Sequence, residues 1–238
     1  MDKKDILSRV DHTLLKQTAT WEQIEKLCRE GLEYAAASVC IPPCYVKQAK
    51  DFVGDKLAVC TVIGFPNGNM TTAVKVFETE DAVKNGADEI DMVINIGLVK
   101  AGHYDQVLDE IRQIKAACGG RCLKVIIETC LLTEAEKVRL CQVVTDAGAD
   151  FIKTSTGKGY PGATFEAAYT MCKAIKTYHS ITGNKVGIKI SGGVRTAEDA
   201  VRYYTIVKEI LGNEWLNKDL FRIGASSLVG DIEKRLGK

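Results

Sequence analysis

Two lysines and an aspartate lie in segments whose alternation turns all three the same way. In Asp150-Phe151-Ile152-Lys153-Thr154-Ser155, Ile152 is expected to face an apolar exterior, which turns Lys153 inward, because successive side chains of a strand point to opposite faces. In Val186-Gly187-Ile188-Lys189-Ile190 the aliphatic positions share one face and Lys189 takes the other. Glu89-Ile90-Asp91-Met92-Val93 sets Asp91 opposite Ile90 and Met92 in the same way. The chemistry open to such a group is capture of a carbonyl by an amine. A lysine is protonated at neutral pH and cannot attack; a second ammonium close by, together with desolvation, lowers its pKa and releases the nucleophile. Lys153 and Lys189 sit near the carboxyl ends of sequential strands, expected roughly 5 Å apart. Asp91 is placed to relay a proton to a reacting hydroxyl or to neutralise a lysine. Asp11 and Lys124, inward on their own strands, extend this polar network. A lone inward lysine can instead snorkel to solvent or pair with a carboxylate; two at matching strand ends favour the chemical reading.

Three loops rich in glycine and hydroxyls follow the last three strand-like runs: Ser155-Thr156-Gly157-Lys158-Gly159, Ser191-Gly192-Gly193-Val194 and Gly224-Ala225-Ser226-Ser227. Glycine lets backbone N–H groups approach an anion, and the last loop opens a helix whose N-terminus favours negative charge. Gly-Gly by itself marks only a turn. Three such loops in register predict a phosphorylated small-molecule substrate. His12, His103 and His179 are dispersed, with no H-x-H or H-E-x-x-H grouping, and each is expected to be a surface or satisfied histidine. Neither a metal nor another cofactor is expected.

The elements that must position these residues are eight β-rich runs, at residues 10–14, 38–41, 57–63, 89–94, 123–128, 151–154, 186–190 and 221–223. Helical patterns fall between and after them, at 21–32, 45–53, 71–85, 104–117, 134–147, 165–178, 197–211 and 228–236. Val107, Leu108, Ile111 and Ile114 recur at spacings of three and four and draw one apolar face. Asn85-Gly86-Ala87-Asp88 and Ala147-Gly148-Ala149-Asp150 repeat one helix–Gly–strand junction, with glycine suited to the left-handed residue that ends a helix. Consecutive apolar residues such as Val125-Ile126-Ile127 predict strands buried on both faces, and therefore parallel. Eight β/α units in 238 residues predict a single (β/α)₈ TIM barrel domain over residues 1–238. An open doubly wound sheet would carry a G-x-G-x-x-G turn after its first strand, and none follows residues 10–14.

The whole-chain balance agrees with a small-molecule enzyme. Lys and Arg (32) nearly cancel Asp and Glu (31), with no basic stripe, which argues against nucleic acid or a membrane surface as partner. Residues 1–20 hold no apolar signal core, so secretion is not expected, and the longest apolar stretch, residues 57–65, is too short to span a bilayer. The nine cysteines are odd in number and form no C-x-x-C pair; Cys40, Cys60 and Cys122 lie inside apolar runs. Reduced core thiols in a cytoplasmic protein are expected, Cys40 included although it is near the pocket.

Several stretches have a family look: Asp11-His12-Thr13-Leu14-Leu15, Val39-Cys40-Ile41-Pro42, Gly64-Phe65-Pro66-Asn67-Gly68, Gly86-Ala87-Asp88-Glu89-Ile90-Asp91-Met92-Val93, Leu123-Lys124-Val125-Ile126-Ile127-Glu128-Thr129 and Arg222-Ile223-Gly224-Ala225-Ser226-Ser227-Leu228. The most specific are Asp150-Phe151-Ile152-Lys153-Thr154-Ser155-Thr156-Gly157 and Gly187-Ile188-Lys189-Ile190-Ser191-Gly192-Gly193-Val194-Arg195. Through them nearly the whole chain resembles the deoxyribose-phosphate aldolase family of class I aldolases. The resemblance implies that Lys153 forms the Schiff base and that Asp91 and Lys189 donate and accept protons. It implies reversible cleavage of 2-deoxy-D-ribose 5-phosphate to acetaldehyde and D-glyceraldehyde 3-phosphate, in deoxyribose phosphate catabolism and without a cofactor. Substrate contacts would fall on Gly157, Lys158, Gly192, Gly193, Gly224, Ser226 and Ser227, with Asp11, Lys124 and Thr156 beside them, and the implied assembly is a homodimer. Two departures stand out. Some members carry a terminal tyrosine near the site, whereas the last residues here are Leu236-Gly237-Lys238, so a shuttle from such a tail is not expected. Ile190-Ser191 also stands where many relatives have smaller or proline-containing pairs, a difference that would tune the pocket.

Overall fold

Among residues 3–235, which the computed structural model describes, eight strands pair in chain order and close on themselves. They are β1 (Val10–Thr13), β2 (Ser38–Ile41), β3 (Ala58–Ile63), β4 (Glu89–Val93), β5 (Cys122–Ile126), β6 (Phe151–Lys153), β7 (Gly187–Ser191) and β8 (Phe221–Ala225). All pairings are parallel, and β8 returns to β1 through Val10↔Ile223 and Asp11↔Gly224. Each strand is followed by helix: α2 (Trp21–Glu33), α3 (Val46–Val53), α4 (Thr72–Lys84), α6 (Tyr104–Ala117), α7 (Glu134–Asp146), α8 (Phe165–Thr182), α9 (Ala197–Leu211) and α10 (Leu228–Arg235) form the outer ring. This is the TIM barrel expected from the alternation. Two short helices, α1 (Lys3–Leu7) and α5 (Ile96–Lys100), were not anticipated; five residues are too few to display a helical period. The last three residues, Leu236-Gly237-Lys238, lie outside the described residues, and with them the reading of the tail.

Local chemistry sets the helix starts. Thr71, Thr133, Thr164 and Thr196 each stand at an N-cap and accept a hydrogen bond from the backbone N–H three residues on. At Thr133 and Thr196 the acidic side chains of Glu136 and Asp199 reach back to the cap's own N–H, completing capping boxes. The apolar core lies between sheet and helices: Val125, Ile152, Ile188 and Ile223 face it from the strands, and Val107, Ile111 and Ile114 meet it from α6, with Leu108 only partly buried. The barrel interior differs. Its mid-section is filled by ionisable side chains rather than the branched aliphatics usual there.

Phe151 and Gly187 show how the floor closes under that layer. A Cβ at Gly187 would come within 2.6 Å of the Phe151 ring, so only glycine lets β7 pass the aromatic side chain at this level.

Candidate active site

Strand alternation does what the sequence predicts. Register places Lys153 directly opposite Lys189 on β6 and β7, and Asp91 opposite Lys124 on β4 and β5. Asp11, Asp91, Lys124 and Lys189 are fully buried and Lys153 is 3% exposed. Asp91 is the hub. Its Oδ2 accepts from Lys153 Nζ and Lys189 Nζ, both at 2.7 Å, and its Oδ1 accepts from Lys124 Nζ at 3.0 Å.

The contacts continue into a closed ring of alternating charge. Lys189 Nζ lies 2.5 Å from Asp11 Oδ2, and Asp11 Oδ1 accepts from Arg222 Nη1 at 2.6 Å. Arg222 Nη2 donates to Glu89 Oε1 at 2.8 Å, and Glu89 Oε2 accepts from Lys124 Nζ at 2.5 Å, which leads back to Asp91. With Lys153 attached at Asp91, this makes four cations (Lys124, Lys153, Lys189, Arg222) against three carboxylates (Asp11, Glu89, Asp91). Among these cations Lys153 is held by a single carboxylate. It is the surplus charge of the cluster.

The ring revises the reason for which two lysines were expected to share the site. Burial alone would push Asp91 up, but Lys124, Lys153 and Lys189 outweigh it and hold the carboxyl well below the usual range. Asp11 is likewise lowered, burial being overcome by Lys189, Arg222 and Lys124. Burial would discharge Lys189, yet Asp11 and Asp91 prevail and raise it above an ordinary lysine. The neighbour of Lys153 is therefore a firmly held ammonium bridged through a carboxylate, and not a bare like charge.

Lys153 also meets open space. A cavity of about 250 Å³ lies at the carboxyl ends of β1, β6, β7 and β8, with Lys153 on its wall. Of the expected substrate contacts, Thr156, Gly157, Lys158, Gly192, Gly193, Gly224 and Ser226 line it too. Asp91, Lys189, Asp11 and Lys124 do not; they are buried behind Lys153, to which Asp91 links them. Ser227 opens instead onto a neighbouring hollow shared with His12 and Glu30. The β6 and β7 loops meet backbone to backbone: both Gly157 and Gly192 have positive φ, and a Cβ on Gly192 would stand 3.2 Å from Gly157 Cα. Gly224 keeps β8 clear of the Lys189 stem, where a Cβ would come within 3.1 Å of its Cε. Lys158 reaches across the mouth and donates to the Leu15 carbonyl at 3.1 Å.

Several site residues escaped the sequence reading. Glu89 lies two positions from Asp91 and so shares its face, and Arg222 sits between the outward Phe221 and Ile223; the same alternation would have found both. Lys16 and Arg195, exposed cations on the β1 and β7 loops, line the cavity but carry no periodic signal. His12 faces away, its Nε2 2.8 Å from Glu30 Oε2 on α2. Cys40 is buried with Cys60 and Val62 in a small apolar cluster inside the barrel, against Leu15 and Phe65. Cys60 donates to Asp91 Oδ1 at 3.2 Å, and burial holds its thiol well above the usual range. Cys40, Cys60 and Asp91 offer ligand atoms within 4.8 Å of one another. Both Asp91 oxygens are already bound by lysines, so a cation there would have to displace them.

Comparison with known proteins agrees with this fold. A family model described as DeoC/LacD family aldolase matches residues 6–227. Deoxyribose-phosphate aldolases of Streptococcus pyogenes serotype M4 and Streptococcus agalactiae serotype Ia are 55% and 54% identical over 218 residues, covering 92% of this chain and 95% of each relative. The solved deoxyribose phosphate aldolase of Aeropyrum pernix, described as tetrameric, superposes with a TM-score of 0.83 at 30% identity, over 98% of this chain and 92% of that one. The chain belongs to the DeoC/LacD family of aldolases.

Proposed function

We propose that this protein is a class I aldolase that reversibly cleaves 2-deoxy-D-ribose 5-phosphate to acetaldehyde and D-glyceraldehyde 3-phosphate. The observation that carries the reading is the position of Lys153: its ammonium ends on the cavity wall while Asp91 and Lys189 lie directly behind it. The amine, once neutral, attacks the aldehyde carbon of the open-chain sugar, and loss of water gives a protonated imine. That cation withdraws electrons from C2. Deprotonation of the C3 hydroxyl then breaks the C2–C3 bond, releases D-glyceraldehyde 3-phosphate and leaves an enamine on Lys153. Protonation of the enamine carbon and hydrolysis of the ethyl imine release acetaldehyde and restore the lysine.

Asp91 and Lys189 take the proton-transfer roles. Their shifts keep Asp91 as the carboxylate and Lys189 as the ammonium at neutral pH, which sets the first as acceptor and the second as donor, joined through Asp91 Oδ2 to the Lys153 amine. At the far end of the cavity the glycine loops with Lys158, joined by Lys16 and Arg195, supply N–H groups and positive charge for the phosphate. Holding the non-reacting end orients the carbonyl toward Lys153. The same reading carries a single barrel domain acting in the cytoplasm as a homodimer, checked by light scattering of the purified chain. Among the described residues no helix is long and apolar enough to cross a membrane.

The direct test is turnover. Purified protein incubated with 2-deoxy-D-ribose 5-phosphate should release both aldehydes in equal amounts and continue to do so with a chelator present. Failure to release acetaldehyde, or equal activity on unphosphorylated 2-deoxyribose, contradicts the proposal.

A further inference from the structure

Glu128 follows β5 and is the less expected member of the cavity's surroundings. It is 6% exposed and adopts φ 51°, ψ 67°, a left-handed conformation that costs a non-glycine residue free energy. That backbone turn aims its carboxylate at the β6 loop. Thr156 N donates to Oε1 and Oε2, each at 3.3 Å, and the Thr156 hydroxyl donates to Oε2 in a short hydrogen bond. The same hydroxyl oxygen accepts from Lys158 N at 3.0 Å. Gly159 wraps the carboxylate closely, since a Cβ there would stand 3.4 Å from Glu128 Cδ and 3.0 Å from Cys130 Sγ.

This arrangement sorts the donors of the loop. The amides of Thr156 and Lys158 are both turned inward, one onto the carboxylate and one onto the hydroxyl that the carboxylate holds. Gly157 N, which has no protein partner among the described residues, remains for the cavity, beside the Lys158 ammonium that donates to the Leu15 carbonyl across the mouth. Both oxygens of the Glu128 carboxylate are directed onto the loop's own donors, the Thr156 N–H and hydroxyl. Its residence there is consistent with a structural anion that shapes the loop before substrate arrives.

We propose that Glu128 is a positioning residue for phosphate recognition: it locks the Thr156-Gly157-Lys158 turn in the form that receives the substrate's phosphate, without touching the substrate. This rests on the aldolase reading above and adds to it the source of discrimination between phosphorylated and free sugars. Charge-assisted hydrogen bonds to a buried group are strong enough that their loss is read as about a tenfold change or more.

The test compares kcat and KM for 2-deoxy-D-ribose 5-phosphate and for 2-deoxyribose in the wild type, E128Q, T156V and the double variant. E128Q should raise KM for the phosphorylated sugar about tenfold or more and shrink the ratio of kcat/KM between the two sugars by a similar factor. T156V removes the same hydrogen bond from its other side and should shrink the ratio too, and the double variant should add little beyond either single change. A merely structural role would lower Tm and reduce both substrates alike, with the ratio kept; that result overturns the proposal, as does full additivity. Should E128Q not fold, E128D, which keeps the charge but draws it back from Thr156, decides by the same ratio. If the wild type itself forms no acetaldehyde adduct on Lys153 the aldolase reading fails, whereas a normal wild type with an unchanged ratio in the variants sinks this inference alone.

Discussion

A single amine with one ionic contact sits at the centre of the chemistry, and the side chains around it predict distinct losses. K153R keeps a cation in place but offers no amine for imine formation, so turnover should vanish in a coupled assay for D-glyceraldehyde 3-phosphate while the fold survives. D91N removes the hub that binds three lysines. Its kcat should fall by about 10²–10⁴, the usual scale of general acid–base assistance, measured at saturating substrate. The positions of these residues were legible because strand alternation needs only the outward apolar neighbours: Ile152, Ile188, Ile90 and Met92 point the way. Lys189's high pKa was not legible, since it depends on Asp11, which reaches it only across the closed barrel.

Elements hold this group by ties outside the barrel as well. Lys75 on α4 is fully buried, donates to the Val93 carbonyl at the end of β4 and pairs with Glu110 on α6, each contact at 2.8 Å. Burial lowers the Lys75 pKa and raises that of Glu110, which marks both charges as poorly solvated. K75M should therefore destabilise the protein by about 3–5 kcal/mol in urea unfolding, because it leaves Glu110 buried without its cation, and K75M/E110L should recover much of that loss. The sequence hid this tie. Lys75 falls on the inward face of α4, where a buried side chain is expected to be apolar, while Val74 and Phe77 stand exposed. The helix at 134–147 was legible from its period, and the Thr133–Glu136 capping box that fixes its start appears only in the structure, whereas the brief α5 had no such length to declare itself.

At the scale of the whole molecule, only closure of the barrel brings Asp11 of β1 beside Lys189 of β7 and Arg222 of β8, and the ring ties stability to pH. Asp11 and Asp91 are depressed in the folded protein, so below the ordinary carboxylate pKa of about 3.9 the unfolded chain binds protons that the folded one refuses. Their contribution is present above about pH 4 and is lost as pH falls through the lowered values. Lys124 and Lys189 are raised, so theirs is complete below about 10.4 and is lost as pH climbs through the raised values. Urea midpoints should accordingly be flat near neutrality and decline toward both extremes, and D91N should flatten the acidic limb. An acidic limb equally steep in D91N would show that other carboxylates dominate it. The eight β/α units and their order were evident from alternating periods in one sequence, whereas the ring's closure depends on contacts up to 211 positions apart, Arg222 to Asp11, which no local pattern encodes.

The most direct measurement of the central claim is borohydride reduction in the presence of acetaldehyde, followed by peptide mass mapping. Imine chemistry at the cavity wall predicts a single ethyl adduct on Lys153, absent in K153R. An adduct on Lys189, Lys124 or a surface lysine with Lys153 unmodified, or no adduct at all, would contradict it.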